Sequence, residues 1–170
     1  AKKENTLPKV VIPVHLGGVS CDMDPLFELS KTYGFSLIED ASHALGGKYK
    51  KDLVGSCTRS SITLFSFHPV KIITTGEGGA ACTNDKEIAK KLSLLRSHGI
   101  TKDQNEFVLP TTEDWQYEQQ LLGYNYRMNE IQSALGRSQL RRLRFIVEKR
   151  NYLLKIYAKS LRNTPFSLIE

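Results

Sequence analysis

The sequence has little cysteine, a single tryptophan, two methionines and no long apolar run. Cys21, Cys57 and Cys82 are the only cysteines, and no two of them have the short Cys-x-x-Cys spacing of a zinc or redox site. An odd number with no framework spacing argues against a disulfide-stapled scaffold, so the three read as reduced, mostly packed thiols. No stretch approaches the ~20 apolar residues needed to cross a bilayer. No apolar run follows the basic N-terminus in the manner of a signal peptide, and the expected compartment is the cytosol. Low-complexity tracts and internal repeats are also missing.

What is present is ordinary for a globular chain: 170 residues, 40% hydrophobic and 25% charged. The formal net charge is +6, which by itself fits a nucleic acid, a membrane surface or an acidic small molecule. Much of the excess lies between Arg137 and Arg162, where Arg141, Arg142, Arg144, Lys149 and Arg150 follow a helical pattern that reads as a solvated face. No aromatic-interleaved basic patch, zinc finger or RNA-binding signature accompanies it, which argues against nucleic acid.

Strand and helix signals alternate. Lys9 to Leu16 is a short apolar run that reads as a buried strand ended by Gly17-Gly18, although Pro13 weakens it by lacking a ladder donor. Asp24-Pro25 predicts an N-cap and first helical position, with Leu26, Leu29 and Tyr33 inward and Gly34 as the stop. Phe35 to Asp40 is a second strand, apolar until it meets two carboxylates. Gly46 to Gly55 reads as a hairpin or loop, Ser61 to Phe67 as a third strand, and Gly78 to Thr83 as a fourth. Asn84 with Glu87 resembles a capping box that opens a helix to about Ser97, with Ile88, Leu92 and Leu95 inward. His98 to Gly123 has no clear period. Asn129 with Gln132 forms a second cap-like pair, starting a helix that runs to about Leu161, long enough to expect a bend or a bridge. This pattern predicts a parallel α/β sheet.

The chemistry concentrates between Ile38 and Gly79. Asp40 and His43 fall at the carboxyl end of one predicted strand, and Ser66, His68 and Lys71 at that of another, followed by Gly76-Glu77-Gly78-Gly79. Ligands of open parallel sheets bind outside the carboxyl ends of strands. Lys71 is flanked by Val70, Ile72 and Ile73, unlike the clustered Lys48, Lys50 and Lys51. Asp40 ends an apolar strand, where an unpaired carboxylate is costly, so a cationic partner is expected. A pyridoxal phosphate site asks for a lysine, a carboxylate for the pyridine nitrogen and donors for the phosphate. Each residue has a plainer reading when taken singly: a surface lysine, a cap or salt-bridge aspartate, a satisfied histidine, a structural serine, a glycine turn. Their order and spacing together carry the argument.

That order is Glu39-Asp40-Ala41-Ser42-His43-Ala44-Leu45-Gly46, then Phe65-Ser66-Phe67-His68-Pro69-Val70-Lys71, then Thr74-Thr75-Gly76-Glu77-Gly78-Gly79. A later block is Leu122-Gly123-Tyr124-Asn125-Tyr126-Arg127-Met128-Asn129-Glu130-Ile131-Gln132-Ser133-Ala134-Leu135-Gly136. In these blocks the chain resembles the DegT/DnrJ/EryC1/StrS family of sugar aminotransferases, over nearly its whole length. The resemblance implies pyridoxal 5'-phosphate as cofactor and Lys71 as the Schiff-base lysine and proton shuttle. It further implies Asp40 as partner of the pyridine nitrogen, His43 as a contact of the cofactor ring or its hydroxyl, and Ser66 as a phosphate ligand. Asn125 resembles the residue that reaches a neighbouring subunit's phosphate, implying a homodimer with shared sites. Arg127 stands nearby with an equally good reading as a structural ion pair. No metal is implied.

Trp115-x-Tyr117-Glu118 and Arg96-Ser97-His98-Gly99-Ile100-Thr101 look most like the pseudaminic-acid branch, implying a UDP-linked 4-keto sugar and glutamate as amino donor. The implied fold is the central part of the large domain of a fold-type-I aminotransferase. It would be mostly parallel with one antiparallel strand and flanking helices, and incomplete at both ends. Residues 1–128 would be a partial cofactor-binding domain, and residues 129–170 a long helix leading toward a small domain. The opening at Ala1 and the stop at Ile169-Glu170 look like cuts through a longer protein, although processing could also remove a Met. The resemblance implies relatives far longer than this chain, whose missing portions supply the rest of the pocket, so the 170 residues alone are expected to be inactive. Two other readings stay open: a dehydratase on the same scaffold, in which relatives carry histidine where Lys71 stands, and a catalytically silent oligomerising piece.

Overall fold

The apolar runs on either side of Gly34 settle as helix and strand, because Gly34 takes the left-handed conformation at the helix end (φ 72°) and turns the chain back. The computed structural model describes residues 6–110, 113–166 and 168. Ala1, Ile169 and Glu170, on which the expectation of a cut chain rests, lie outside them. The elements are β1 (Val10–Val11), α1 (Met23–Tyr33), β2 (Ser36–Asp40), β3 (Lys48–Tyr49), β4 (Asp52–Leu53), β5 (Ile62–Ser66), β6 (Gly79–Cys82), α2 (Lys86–Arg96), β7 (Ile100–Thr101), β8 (Glu118–Gln119), α3 (Glu130–Leu140) and α4 (Leu143–Leu161). Single 3-10 turns stand at Leu16–Gly18 and Gln104–Glu106.

By their contacts the residues divide into two units, Ala1–Asn84 with Glu130–Glu170, and Asp85–Asn129. The first holds a four-stranded sheet in the order β1-β2-β5-β6. β1 and β5 flank β2 in parallel, and β6 runs antiparallel to β5. This is the expected mostly parallel sheet with one reversed strand. Its core gathers Leu37 of β2, Phe65 of β5, Met23 of α1 and Ala41, Ala44 and Ile73 from the following turns, all buried. β3 and β4 form the expected hairpin, with Lys50 at positive φ in its turn. Its sheet face is tied to α1 by charge: Arg59 bonds both Asp24 and Asp52, and Lys50 bonds Asp24.

Several boundaries differ from expectation. The strand read over Lys9 to Leu16 pairs only at Val10–Val11, with a further bridge between Val14 and Asp40. Pro13 supplies a carbonyl there but no donor. Nor is that segment buried on both faces, since Val10, Ile12, Val14 and Leu16 are exposed while Pro13 and His15 are buried. α1 starts at Met23 with Asp22 as N-cap, so Asp24 and Pro25 stand within its first turn, and Leu29 points outward. Phe27 and Met23 take the inward side instead.

The single long helix read to Leu161 is two helices. α3 ends in a tightened turn in which the Arg142 N–H donates to Gln139 O at 3.0 Å, and α4 restarts at Leu143. The restart brings Leu143 and Val147 against Gly46, where an added Cβ would stand 3.0 Å from the Val147 methyl. α4 has no buried residue and carries an Arg144–Glu148 pair along its solvated face.

In the second unit α2 is capped by Asp85, whose carboxylate accepts from the N–H groups of Glu87 and Ile88. Asn84, read from the sequence as the cap, instead donates to the carbonyls of Ser56 and Cys57 within the first unit. The aperiodic stretch from His98 to Gly123 forms a short ribbon of β7 and β8. It closes where Gly99 and Gly123 meet; a Cβ on Gly123 would fall 2.2 Å from Gly99 N. Among the described residues no helix is long and apolar enough to cross a membrane.

Candidate active site

Parallel pairing of β2 with β5 sets their carboxyl ends side by side, with Asp40 opposite Leu64 and the Ala41 N–H donating to Leu64 O at 2.9 Å. Asp40 is half-buried, and its Oδ1 accepts the Ser42 N–H at 3.0 Å. The hydrogen bonds from Ser42, side chain before backbone, hold the Asp40 carboxyl below the ordinary carboxylate range against the upward push of burial. The positive fields of His43 and Lys71 act in the same direction. Asp40 is therefore an anion at neutral pH with the Lys71 ammonium in its field.

His43 follows at the same strand end, and its Nδ1 accepts the Gly17 N–H at 3.3 Å. In the neutral ring the proton then belongs on Nε2. Gly17 and Gly18 are both left-handed, and a Cβ on Gly18 would come within 2.9 Å of the His43 carbonyl. In the sequence these glycines signal only the stop of a strand. Their use is closer: they let the chain fold down onto His43. The doublet was visible, but its target twenty-odd residues on was not.

Ser66 ends β5 opposite Gly79, where a Cβ on Gly79 would lie 2.6 Å from the Phe65 carbonyl. The Ser66 hydroxyl oxygen accepts the His68 N–H at 3.4 Å, a long and weak bond that leaves its proton available. The chain then leaves the sheet in a loop that carries Lys71. That loop is pinched at its root, because the Phe67 carbonyl accepts both the Thr75 N–H and the Thr74 hydroxyl at 3.0 Å. Within it the Lys71 N–H donates to His68 O at 2.9 Å. α3 backs the root: Gln132 donates to Glu77 O, and buried Gly136 leaves no room beside Thr75, whose methyl would stand 2.8 Å from an added Cβ. Lys71 itself is half-buried beside buried Ile73.

The structure thus brings Asp40, His43, Ser66 and Lys71 to neighbouring strand ends of one sheet. Asn125 belongs to the Asp85–Asn129 unit, where it is exposed and bridges to Ser97. Its neighbours Tyr124 and Tyr126 stack with ring centroids 4.8 Å apart. Arg127 is exposed in the same segment.

Comparison with known proteins converges on one group. A curated Campylobacter jejuni protein, named UDP-4-amino-4,6-dideoxy-N-acetyl-beta-L-altrosamine transaminase, is 43% identical over 169 residues, covering 99% of this chain and 42% of its own length. A Helicobacter pylori protein of the same name is 38% identical over 162 residues, 95% of this chain and 40% of its own. Among solved structures, Helicobacter pylori PseC, an aminotransferase involved in the biosynthesis of pseudoaminic acid, superposes with a TM-score of 0.84 at 35% identity, covering 96% of this chain and 42% of PseC. A Streptococcus pneumoniae protein described as a sugar aminotransferase, solved in its PLP form, gives 0.75 at 31% identity over 91% of this chain and 42% of that one. The chain therefore spans about two-fifths of the length of the relatives it matches. The model of the DegT/DnrJ/EryC1/StrS aminotransferase family matches residues 2–170. With the expected sheet and the ordered blocks at its strand ends, the chain belongs to that family.

Proposed function

We propose that this chain is the cofactor-anchoring part of a pyridoxal-phosphate-dependent transaminase. Its substrate would be a UDP-linked 4-keto-6-deoxy sugar, with glutamate as amino donor, in pseudaminic acid or related surface-glycan biosynthesis. The observation that carries this reading is an anionic Asp40 sharing its field with Lys71 at adjoining strand ends. The residues fit the cofactor's demands: a carboxylate that stays charged, an amine on a root-pinched loop, and a serine hydroxyl with a free proton. When bound, pyridoxal phosphate supplies the electron sink that lets an amino group replace a carbonyl oxygen.

The chain's residues divide the remaining work. Asp40 holds a proton on the pyridine nitrogen through its charge. Ser66 donates its hydroxyl proton to a phosphate oxygen. His43, with its proton on Nε2, presents that N–H to the ring or its hydroxyl. Lys71 would anchor the cofactor through Nζ, and the same nitrogen would serve as the base that holds and moves a proton at the reacting centre. A positioned base contributes ~10² to 10⁴-fold to such a step. Asn125 would serve a second copy's phosphate, which makes the working form a homodimer. Residues 1–128 would belong to the cofactor-binding domain and residues 129–170 would lead toward a small domain, in a cytoplasmic enzyme. Because the relatives are far longer, the 170 residues alone should hold the cofactor weakly and not turn over.

Borohydride reduction in the presence of millimolar pyridoxal phosphate, followed by peptide mapping, tests the anchor. The label should fall on Lys71 and disappear in Lys71→Ala. A label that persists in that variant, or that maps only to surface lysines, overturns the reading. A product assay with glutamate and the UDP-keto sugar then separates amination from dehydration.

A further inference from the structure

Side chains alternate along β2, so Asp40 projects to one face and Glu39 to the other. Glu39 is only 6% exposed, and it meets His15, which is fully buried. The His15 Nδ1 accepts the Cys21 N–H at 3.2 Å, which places the ring proton on Nε2, and Nε2 donates to Glu39 Oε2 at 2.8 Å. The other carboxylate oxygen accepts the hydroxyls of Ser60 and Thr63. Among the described residues no buried side-chain nitrogen or oxygen lacks a partner, so this interior network is closed.

A buried carboxylate–imidazole pair is weak support for stability, since apolar residues of similar volume are often equally stable or more so. Its backbone suggests another use. The Asp40 N–H donates to Pro13 O at 2.9 Å, and the His15 N–H donates to Asp40 O at 3.0 Å. His15 thus grips Asp40 through its main chain and the adjoining residue through its ring. The strand end cannot tilt without breaking one of these bonds. Hydrogen bonds weaken steeply with misalignment, and a displacement of about 1 Å can cost a reactive geometry ~10²-fold.

We infer that His15 and Glu39 are positioning residues, a clasp behind β2 that aims the Asp40 carboxylate at the cofactor's ring nitrogen. This rests on the cofactor reading above.

The test fixes pyridoxal phosphate on Lys71 with borohydride and titrates the ring nitrogen by its absorbance. In the wild-type chain the ring nitrogen should keep its proton to a pH about one to three units above free pyridoxyl-lysine, as an adjacent carboxylate provides. The double replacement His15→Leu with Glu39→Leu, which leaves no buried charge unpaired, should fold yet titrate like the free compound. Glu39→Gln, which keeps an acceptor for His15, should retain most of the shift. An apolar pair that folds and titrates as wild type overturns the inference. So does an apolar pair that fails to fold, since the clasp would then be a stability element. A wild-type chain that takes no label on Lys71, or whose ring nitrogen titrates as the free compound, overturns the cofactor reading itself.

Discussion

Glu39 keeps its charge in the interior against the pull of its surroundings. Burial pushes its carboxyl upward, but the hydrogen bonds from His15, Ser60 and Thr63 outweigh that and leave it below the usual carboxylate value. A depressed native pKa means that ionised Glu39 contributes stability in full above the unfolded value near ~4.3, and that this is lost as pH falls through the native value. Asp40 has the same sign. Thermal midpoints measured across the acid range should therefore drop on acidification, and Glu39→Gln should flatten that slope; equal slopes in both proteins would contradict it. On the other face, Ser66→Ala removes the proposed hydroxyl donor to phosphate. A hydrogen bond to a charged group contributes ~1.5–3 kcal/mol, so absorbance titration should find affinity for pyridoxal phosphate lower by roughly ten- to a hundredfold.

Single elements show where sequence reading succeeds and where it stops. The strand ends bearing Asp40 and Ser66 were legible because apolar runs break there into polar residues. The His15–Glu39 contact was not, because the partners are 24 residues apart and nothing in either neighbourhood names the other. Asn84 and Asp85 are both good caps standing side by side, and only the tertiary demand of the Ser56 and Cys57 carbonyls decides between them. The length of the segment is reason to expect a bend, but the join between α3 and α4 has no proline or glycine, so nothing in the sequence places it at Arg141-Arg142. α3 also offers a test. Alanine is preferred to glycine inside a helix by ~1 kcal/mol, yet Gly136→Ala would drive a methyl against buried Thr75. Thr75 is held by its N–H to Phe67 O and its hydroxyl to Glu77 O, so it has little freedom to yield. Overpacking costs of ~1–3 kcal/mol should win, and urea unfolding should find the variant less stable. A stabilised variant would show that the loop root gives way.

At the scale of the molecule, much apolar surface is left outside. Val10, Ile12, Val14 and Leu16 line one side of the first segment, and Phe145, Tyr152 and Tyr157 stand out along α4. Monomeric proteins seldom leave such stretches bare. The 170-residue chain should bind an apolar dye and associate with rising concentration in sedimentation experiments, and added salt should not disperse it, because the contact is not ionic. A dye-silent monomer would contradict this. The composition that marked the chain as globular gave no hint of this surface, since total apolar content says nothing of where it lies.

The pinch at the Phe67 carbonyl divides the polypeptide into a part whose length matters and a part whose length does not. Residues 68–74 hang from a closed mouth, so an insertion there would change how far the amine stands out while both edges of the β5–β6 ladder keep their register. One residue removed between Thr75 and Gly78 would instead drag Gly79 off its partner Ser66 and slide the whole antiparallel pairing. Evolution is free to retune the lysine's reach on one side of that knot, and on the other it is bound to count.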